Sequence, residues 1–492
     1  MMGDVSLPGV DRLLIDGELV AASDGGTFET LNPATEEVLG VAADGTAADM
    51  DAAIGAARRT FDEGSWANDR SFRASCLRQL RDALQAEGDS LRALTTAEVG
   101  APGFLTSGAQ FDTPVEDLGY YADLAEHYDG WTVDLGEASP VGMKSQRFVL
   151  REPAGVVGAI TPWNFPHQIN FAKIGPALAA GCTVVLKPAP DTPWCAAAVA
   201  QIAAEHTDIP AGVLNVVNSS DHAVGAQLTA DPRIDLISFT GSTATGRSIM
   251  RNAADNLTKV FLELGGKSAF IVLDDADVAS AAGMAAFTVS THAGQGCAIT
   301  TRLLVPRSMH DQVVEAAAAT MAALAAADPT QPGTICGPVI SARQRERVEG
   351  YLQLAKDEGA TFAVGGGRSP NFERGFYIDP TLVVGLDNSS RVAREEIFGP
   401  VLTVISYDDQ DDAVRIANDS PFGLSGTIFS GDEERALAVA ARIRTGTMGI
   451  NGGVWYSADM PFGGYKQSGI GREMGVAGFE EYLETKAIAI GR

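Results

Sequence analysis

Residues 156–264 contain five short apolar runs: VVGAI at 156–160, TVVL at 183–186, VLNVV at 213–217, IDLISF at 234–239 and KVFL at 259–262. Segments of helical character separate them, over 170–180, 192–206, 221–229 and 243–254. Apolar strands that alternate with helices in this way are typical of a parallel, doubly wound α/β sheet. Such sheets bind ligands beyond the carboxyl ends of their strands. We therefore expect the functional residues directly after each of the five runs.

A second alternating series begins after this stretch. Its first strand is predicted at 269–273, and a helix near 277–291, a strand near 302–305 and an alanine-rich helix ending near 327 follow. This series indicates a second α/β domain. Two further segments, 131–151 and the tail around 485–490, look like strands but fit neither series. They are predicted either to form a projecting arm that pairs with another subunit or to be edge strands within one chain.

Composition and charge restrict the possible functions. The chain has 492 residues, of which 45% are hydrophobic and 20% are charged, as in ordinary globular proteins. Its 63 acidic residues exceed its 36 basic residues and give a net charge of −27. This charge excludes a generally nucleic-acid-binding surface and disfavours attraction to anionic membranes. We expect neither nucleic acid nor a membrane among the partners.

The cysteine content argues against disulfides and metal sites. The five cysteines include no CxxC pair, so we predict neither a disulfide framework nor a zinc site, and we expect no metal. A reduced, cytoplasmic setting fits this pattern. No apolar run reaches the ~18 residues that span a bilayer. The N-terminal MMGDVSLPGVDR has no basic region followed by an apolar stretch, so no export signal is predicted.

Several common catalytic motifs are absent from the sequence. There is no HExxH and no GxSxG, which argues against a zincin and a serine hydrolase. GSTATG at 241–246 has P-loop-like glycine spacing, but Arg247 and Ser248 follow, so the phosphate-binding lysine is missing. The stretch is also not GxGxxG. It is either a plain strand-to-helix turn or a turn whose helix N-terminus, with its free N–H groups, binds a pyrophosphate.

Four short stretches place reactive or polar groups beside Gly or Pro at predicted strand ends. They are PWNFP at 162–166, FLELGGK at 261–267, GQGC at 294–297 and EEIFGP at 395–400. Each is weak alone, because a lone cysteine in an apolar context is usually a core residue. In this order and spacing they resemble the NAD(P)-dependent aldehyde dehydrogenase superfamily. The resemblance extends from NPAT at 32–35 to PFGGYKQSGIGRE at 461–473.

The resemblance implies roles for five catalytic residues. Cys297 matches the nucleophile, and Asn164 together with the backbone N–H of Cys297 matches the oxyanion hole. Glu263 matches the general base for thioester hydrolysis, and its apolar surroundings predict a pKa raised by desolvation. Lys173 and Glu473 match residues linked to proton relay, although a plain ion pair or a packing role is equally compatible with the sequence.

The resemblance also implies an NAD cofactor, with NADP possible. The contacts that it assigns are Ile160 and Trp163 in the cleft wall, Lys187 at the adenosine ribose, Gly241, Ser242 and Gly246 at the pyrophosphate, and Glu396 and Phe398 at the nicotinamide ribose. Many NAD-selective members carry an acid three residues after the lysine, where this chain has Pro190. His292 stands where the family often has Asn; it either tunes the thiol or fills a supporting position. No cysteine flanks Cys297.

Together these residues predict oxidation of an aldehyde to the carboxylic acid with NAD(P)+, through a cysteine thiohemiacetal and a thioester that water hydrolyses. A CoA-acylating dehydrogenase is the alternative enzyme, which the presence of Glu263 disfavours. A catalytically idle scaffold is the alternative outside the enzymes. The family's layout places Phe165, Gln168 and Trp455 along the entry tunnel, which suggests an apolar or aromatic aldehyde.

The implied fold is α/β and aldehyde dehydrogenase-like. It has a Rossmann-type cofactor domain of residues 1–130 and 152–264, an α/β catalytic domain of residues 265–464, and a small β oligomerisation arm of residues 131–151 and 478–492. The family's usual assembly is a homodimer or a homotetramer. We therefore expect a second copy of the chain as the protein partner and a small aldehyde as the substrate.

Overall fold

The computed structural model describes residues 10–492 as four β-sheets with helices packed against them. The prediction that no export signal is present falls mainly on residues 1–9, which lie outside the described residues. None of the helices within residues 10–492 is long and apolar enough to cross a membrane.

The first sheet has eight strands. Their order across the sheet is Gly469–Ile470, Lys259–Glu263, Leu236–Thr240, Val156–Ile160, Thr183–Lys187, Leu214–Val216, Leu13–Ile15 and Glu18–Val20. The five strands from Lys259–Glu263 to Leu214–Val216 are parallel and coincide with the five apolar runs, which confirms the predicted doubly wound core. The three outer strands pair antiparallel. The hydrophobic pattern did not predict them, because two or three residues show no periodicity.

Both faces of the first sheet are buried, which explains why its strands are apolar throughout. Along strand Thr183–Lys187, Val184 and Leu186 pack into the core on one face and Val185 into the core on the other. Successive strand residues point to opposite faces. Helices Pro166–Ala180 and Pro193–His206 contribute to the first core, and Ala47–Glu63, His222–Ala230 and Thr243–Ala254 contribute to the second.

The second sheet has seven strands and forms the predicted second α/β unit. Their order is Thr361–Val364, Thr381–Val384, Val401–Tyr407, Thr300–Pro306, Ser268–Val272, Gly426–Phe429 and Gly449–Ile450. Only the first pair is antiparallel among these strands. Its helices include Val278–Ser290 and His310–Ala323, close to the two predicted ones, and Ala342–Asp357, Gln410–Asn418 and Glu433–Ala440.

The third sheet has three strands. It joins Thr132–Ala138, Ser145–Pro153 and Leu483–Gly491 in antiparallel pairing, with Leu483 opposite Pro153 and Gly491 opposite Ser145. Both segments that fitted neither α/β series are therefore strands. Beyond Leu483 every residue of the last strand is exposed. Pairing of this sheet with another subunit stays a prediction.

The other elements complete the N-terminal half and the connections. They are strands Thr27–Leu31 and Val38–Ala43, which form the fourth sheet, and helices Arg70–Ala86, Gly88–Val99, Gly103–Thr106, Asp112–His127, Arg391–Arg394 and Gly475–Glu480.

Candidate active site

A cleft lies at the carboxyl ends of the first sheet's parallel strands and consists of two adjoining cavities. The inner cavity, of about 460 Å³, is lined by Asn164, Glu263, Cys297, Glu396 and Phe398, among others. The outer cavity, of about 720 Å³, is lined by Ile160, Lys187, Asp191, His222 and Arg343, among others. Trp163, Thr240, Gly241 and Ser242 line both cavities. Residues directly after 160, 187, 239 and 262 therefore line one cleft, as expected for four of the five runs.

Cys297 faces the inner cavity from the segment that leads into strand Thr300–Pro306. It packs against a cluster formed by Leu424, Phe462 and Met474, and it is partly exposed. Burial, together with the nearby carboxylates Glu263, Glu396 and Glu473, raises the pKa of the Cys297 thiol. The thiol is therefore protonated at neutral pH and needs a proton acceptor before it can act as a nucleophile.

Glu263 is the last residue of strand Lys259–Glu263 and is only 2% exposed. Neither of its carboxylate oxygens accepts a hydrogen bond from any residue between 10 and 492. Burial, with the nearby charge of Glu473, raises the pKa of Glu263 well above its usual range. The predicted direction of the shift is confirmed, and a carboxyl group with a raised pKa is suited to exchanging protons near neutral pH.

Asn164 is held at its side chain and at its main chain. Its Nδ2 donates to the carbonyl oxygen of Gln295 over 3.0 Å. Its own carbonyl oxygen accepts from Gln110 Nε2 over 2.7 Å and from His292 Nε2 over 2.9 Å. An amide nitrogen has two hydrogens, so the second hydrogen of Nδ2 remains for a ligand in the inner cavity.

Lys173 and Glu473 form a buried ion pair close to the inner cavity. Lys173 Nζ lies 2.7 Å from Glu473 Oε1, and the two side chains are 0% and 5% exposed. Lys173 also donates to Ser238 Oγ over 3.1 Å. The two charges act in opposite directions on the pKa of Glu263, since Glu473 raises it and Lys173 lowers it. The structure thus brings both residues beside Glu263.

Lys187 lines the outer cavity. Its Nζ donates to the carbonyl oxygens of Pro188 and Ser219 over 3.2 and 3.0 Å. Burial lowers the pKa of Lys187 to about 8, and Asp44, Asp191 and Asp221 oppose the shift. One N–H of the ammonium group therefore remains for a ligand.

The helix Thr243–Ala254 begins between the two cavities. Ser242 caps it by accepting from the backbone N–H of Thr245 over 3.2 Å. Gly246 lines neither of the two cavities. A Cβ on Gly246 would lie 2.7 Å from Leu264 Cδ2, so this glycine lets the helix pack closely on the strand end. The other predicted cofactor residues all line the cleft.

The Glu396 carboxylate is built into the wall of the inner cavity. Its Oε1 accepts from the backbone N–H of Gly266 over 2.9 Å. A Cβ on Gly265 would lie only 2.2 Å from Oε2, so the carboxylate fits because Gly265 has no side chain. The Phe398 ring meets the Trp163 ring edge-on, with centroids 5.3 Å apart.

The sequence reasoning missed the start of helix Ala342–Asp357. Arg343, Gln344 and Arg347 line the inner cavity. Gln344 Nε2 donates to the carbonyl oxygen of Phe398 over 2.6 Å, and Arg347 Nε donates to that of Ile397 over 3.1 Å. Gln344 and Arg347 thus fix the loop that carries Glu396. Because they bind backbone atoms, no motif of residue types in the sequence signals them.

The cleft fits an extended dinucleotide. The N-terminus of helix Thr243–Ala254 is suited to a diphosphate. Lys187 in the outer cavity and Glu396 in the inner cavity are suited to hydroxyl groups. The Thr240 hydroxyl has no partner among residues 10–492 and is also available to a ligand. These features define the class of protein: an α/β enzyme whose dinucleotide cleft ends at a thiol.

The comparisons with known proteins agree with this class. The sequence profile described as the aldehyde dehydrogenase family matches residues 20–488. Geranial dehydrogenase of Castellaniella defragrans is 41% identical over 97% of this chain and 98% of its own length. An aldehyde dehydrogenase of Mycobacterium tuberculosis, solved in complex with NAD+, is 42% identical over 98% of both chains, with a TM-score of 0.93. A betaine aldehyde dehydrogenase of Staphylococcus aureus, also solved with NAD+, is 38% identical over 98% of this chain and 94% of its own, with a TM-score of 0.94.

The chain belongs to the aldehyde dehydrogenase family. It is an enzyme that oxidises an aldehyde to the carboxylic acid with NAD(P)+.

Proposed function

We propose that Cys297 is the nucleophile of this oxidation and that Glu263 is the base that hydrolyses the resulting thioester. The observation that carries the proposal is that one cavity brings together Cys297, Glu263 and Asn164 with Glu396 and Phe398. A thiol, an unpartnered carboxylate and a free amide N–H are the groups that thioester chemistry requires.

The residues act in two stages. In the first, the Cys297 thiol passes its proton to solvent water in the inner cavity and the sulfur bonds to the aldehyde carbon, while the carbonyl electron pair moves to oxygen. That oxyanion accepts hydrogen bonds from Asn164 Nδ2 and from the backbone N–H of Cys297. When bound, NAD(P)+ accepts the hydride that this carbon releases.

The second stage begins at the thioester on Cys297. The Glu263 carboxylate accepts a proton from water, the water oxygen bonds to the acyl carbon, and the C–S bond breaks with its electron pair returning to sulfur. The acid leaves, and the proton on Glu263 passes outward beside the Lys173–Glu473 pair, which lies close enough to influence the pKa of Glu263.

Cofactor positions follow from the same cleft. We assign the nicotinamide ribose to Glu396 and Phe398 and the adenosine ribose to Lys187. The diphosphate lies at Gly241 and Ser242, where helix Thr243–Ala254 begins, and Gly246 allows that helix its position. Ile160 and Trp163 form the cleft wall.

The test is a turnover assay that follows the absorbance of the reduced nicotinamide, with an aldehyde panel and either cofactor, in the presence and absence of CoA. Turnover without CoA supports water as the acceptor of the acyl group. Turnover that requires CoA favours the acylating alternative, and a complete lack of turnover with every aldehyde favours the idle scaffold.

The substrate belongs to the apolar or aromatic aldehydes in our proposal. The support is that the Trp455 and Phe462 rings stack with centroids 5.4 Å apart next to Cys297, with Met474 beside them. Two relatives are named for apolar or aromatic substrates, the geranial dehydrogenase and a 3-succinoylsemialdehyde-pyridine dehydrogenase of a Pseudomonas species, which is 42% identical. Medium-chain and aromatic aldehydes should therefore show a higher kcat/KM than small charged ones.

NAD is the preferred cofactor in our proposal, and Asp191 supplies the charge that Pro190 lacks. Asp191 lines the outer cavity beside Lys187, with Arg343 NH2 3.8 Å from its Oδ2. Asp44 and Asp221 add negative charge close to Lys187. A phosphate on the 2′-hydroxyl would meet these carboxylates, and repulsion between like charges is a common means of specificity.

We predict that Asp191→Asn raises the ratio of kcat/KM for NADP+ to that for NAD+ by about 10-fold, the effect of removing one nearby like charge. The measurement compares both cofactors at saturating aldehyde. Arg343→Gln is the opposing variant, because it removes the cation paired with Asp191, and it should lower the same ratio. An unchanged ratio in Asp191→Asn would rule out this source of selectivity.

The third sheet is the proposed oligomerisation arm, formed from 131–151 and 478–492. Among residues 10–492 no further strand pairs with the outer edge of Leu483–Gly491, which exposes Ile488 and Ile490 and so suits pairing with a second copy. Sedimentation analysis should give a homodimer or a homotetramer.

We assign the first sheet to the cofactor domain and the second to the catalytic domain. All five cysteines are free, which supports a cytoplasmic location.

A further inference from the structure

The turn that precedes Cys297 has an unusual backbone. His292, Ala293 and Gly294 have φ angles of +53°, +51° and +70°, so three consecutive residues lie in the left-handed region. Two of them are not glycine, and such conformations persist only where the surroundings hold them. The His292 side chain is fully buried. The turn therefore places this imidazole at a defined point inside the protein.

The imidazole and the residues around it hold Asn164 from two sides. His292 Nε2 lies 2.9 Å from the carbonyl oxygen of Asn164, and a carbonyl accepts only from a donor, so Nε2 bears the hydrogen. The Asn164 side chain in turn donates to the carbonyl oxygen of Gln295. Gln295 completes a ring of hydrogen bonds with His292 and Asn164, because its Nε2 and its backbone N–H both donate to the carbonyl oxygen of His292 over 3.1 Å.

This ring of hydrogen bonds is attached to the rest of the second α/β unit. The backbone N–H of His292 donates to the carbonyl oxygen of Ile335 over 3.1 Å, and Gln295 Oε1 accepts from the backbone N–H of Ile340 over 2.8 Å. The turn that carries the nucleophile thus also fixes Asn164, although Asn164 lies 128 residues from His292 along the chain.

We infer that His292 is a positioning residue: by donating from Nε2 to the Asn164 carbonyl oxygen, it keeps the Asn164 amide directed at the aldehyde oxygen on Cys297. The inference rests on the proposed oxyanion role of Asn164. Burial lowers the pKa of His292 to about 4, so the ring is neutral during turnover. Its Nδ1 has no partner among residues 10–492.

Two variants of similar size separate the hydrogen bond from the volume of the ring. His292→Gln keeps a donor, because the Nε2 atoms of glutamine and histidine stand the same number of bonds from Cβ. His292→Met fills the space without a donor. Losing one oxyanion donor typically costs about 100–1000-fold, and a misdirected donor costs part of that. We expect kcat to fall by about 10-fold or more in His292→Met and by less than about threefold in His292→Gln.

A second readout distinguishes positioning from collapse of the turn. Alkylation of Cys297 by iodoacetamide requires an accessible thiol but forms no oxyanion. In His292→Met we expect the alkylation rate to stay within about threefold of wild type while kcat falls by the larger factor. Equal losses in both rates would show a collapsed turn, and an unchanged kcat would show that the hydrogen bond is dispensable. Either outcome overturns the inference. If His292→Met does not fold, His292→Leu replaces it, because leucine also fills space without offering a donor.

A double variant distinguishes a failure of this inference about His292 from a failure of the proposed oxyanion role of Asn164. In an Asn164→Ala background, His292→Met should cause no further loss, because residues that act through one group are not additive. A full second loss would place the effect of His292 elsewhere and overturn the inference. Wild-type turnover in Asn164→Ala alone would instead remove the oxyanion role of Asn164, and with it the basis of the proposed function.

Discussion

Cys297→Ala should abolish turnover while leaving the cofactor site intact. Removing the nucleophile of a covalent mechanism typically costs more than about 10⁴-fold in kcat, because no other group forms the intermediate. Cys297 lines the inner cavity only, whereas Lys187 lines the outer cavity and Ser242 lines both. NAD+ binding, measured by quenching of tryptophan fluorescence, should therefore remain close to that of wild type.

Cys76→Ala is the matched control for this experiment. Cys76 is fully buried in helix Arg70–Ala86 and lies in the core of the first sheet. Its loss should lower stability slightly and leave kcat unchanged. Near-normal turnover in Cys297→Ala, or an equal loss in both variants, would remove Cys297 from the mechanism.

Glu263→Gln should allow the hydride step and block release of the acid. Glutamine retains the shape of the side chain but does not accept a proton from water, and general base catalysis contributes about 10²–10⁴-fold. The expected trace is a burst of reduced cofactor close to one per site, followed by a steady state slower by that factor. Stopped-flow absorbance measures both phases. A burst and a steady state that slow equally would show that Glu263 does not act mainly in deacylation.

The folding control for Glu263→Gln is its thermal stability. Both carboxylate oxygens are buried without a hydrogen bond in the described range, and a buried charge is costly. Replacing it with a neutral amide should leave the melting temperature at neutral pH equal to or above that of wild type. A loss of activity in Glu263→Gln then reflects the missing carboxylate and not unfolding of the protein.

The pH profile gives an independent check on the same residue. The pKa of Glu263 is raised by burial and by Glu473, so its proton-accepting form increases as the pH rises through that raised value. The deacylation rate of the wild type should therefore climb with pH over this range. In Glu263→Gln this limb of the steady-state profile should disappear. A limb that persists unchanged would belong to another group.

The parts of the fold that the sequence predicted share one physical property. Val156, Val185 and Ile237 lie on strands buried on both faces, so their apolar runs are continuous and easily recognised. The strands Leu13–Ile15 and Gly469–Ile470 have only three and two residues. They exist because longer strands already present a free edge, which no local pattern in the sequence reveals.

The active site also contains residues that the sequence predicted and residues that it did not. The prediction placed Cys297, Glu263 and Asn164 correctly in one cavity, because each side chain carries its own chemistry and a motif marks it. Arg347 and Gln344 were missed since they bind the backbone of the loop that carries Glu396. Gly246 lines neither cavity and a Cβ on it would meet Leu264, and its assignment to the diphosphate stays a prediction. Contacts made through backbone atoms leave little signature in residue types.

The most direct test is to identify the atom that carries the acyl group. Glu263→Gln is mixed with NAD+ and an aromatic aldehyde, quenched in acid at the end of the burst, and digested for mass spectrometry. We predict that one acyl group is attached to the peptide that contains Cys297, in an amount equal to the reduced cofactor formed. A full burst with no acyl group on that peptide, or with the acyl group on another residue, would contradict covalent catalysis by Cys297.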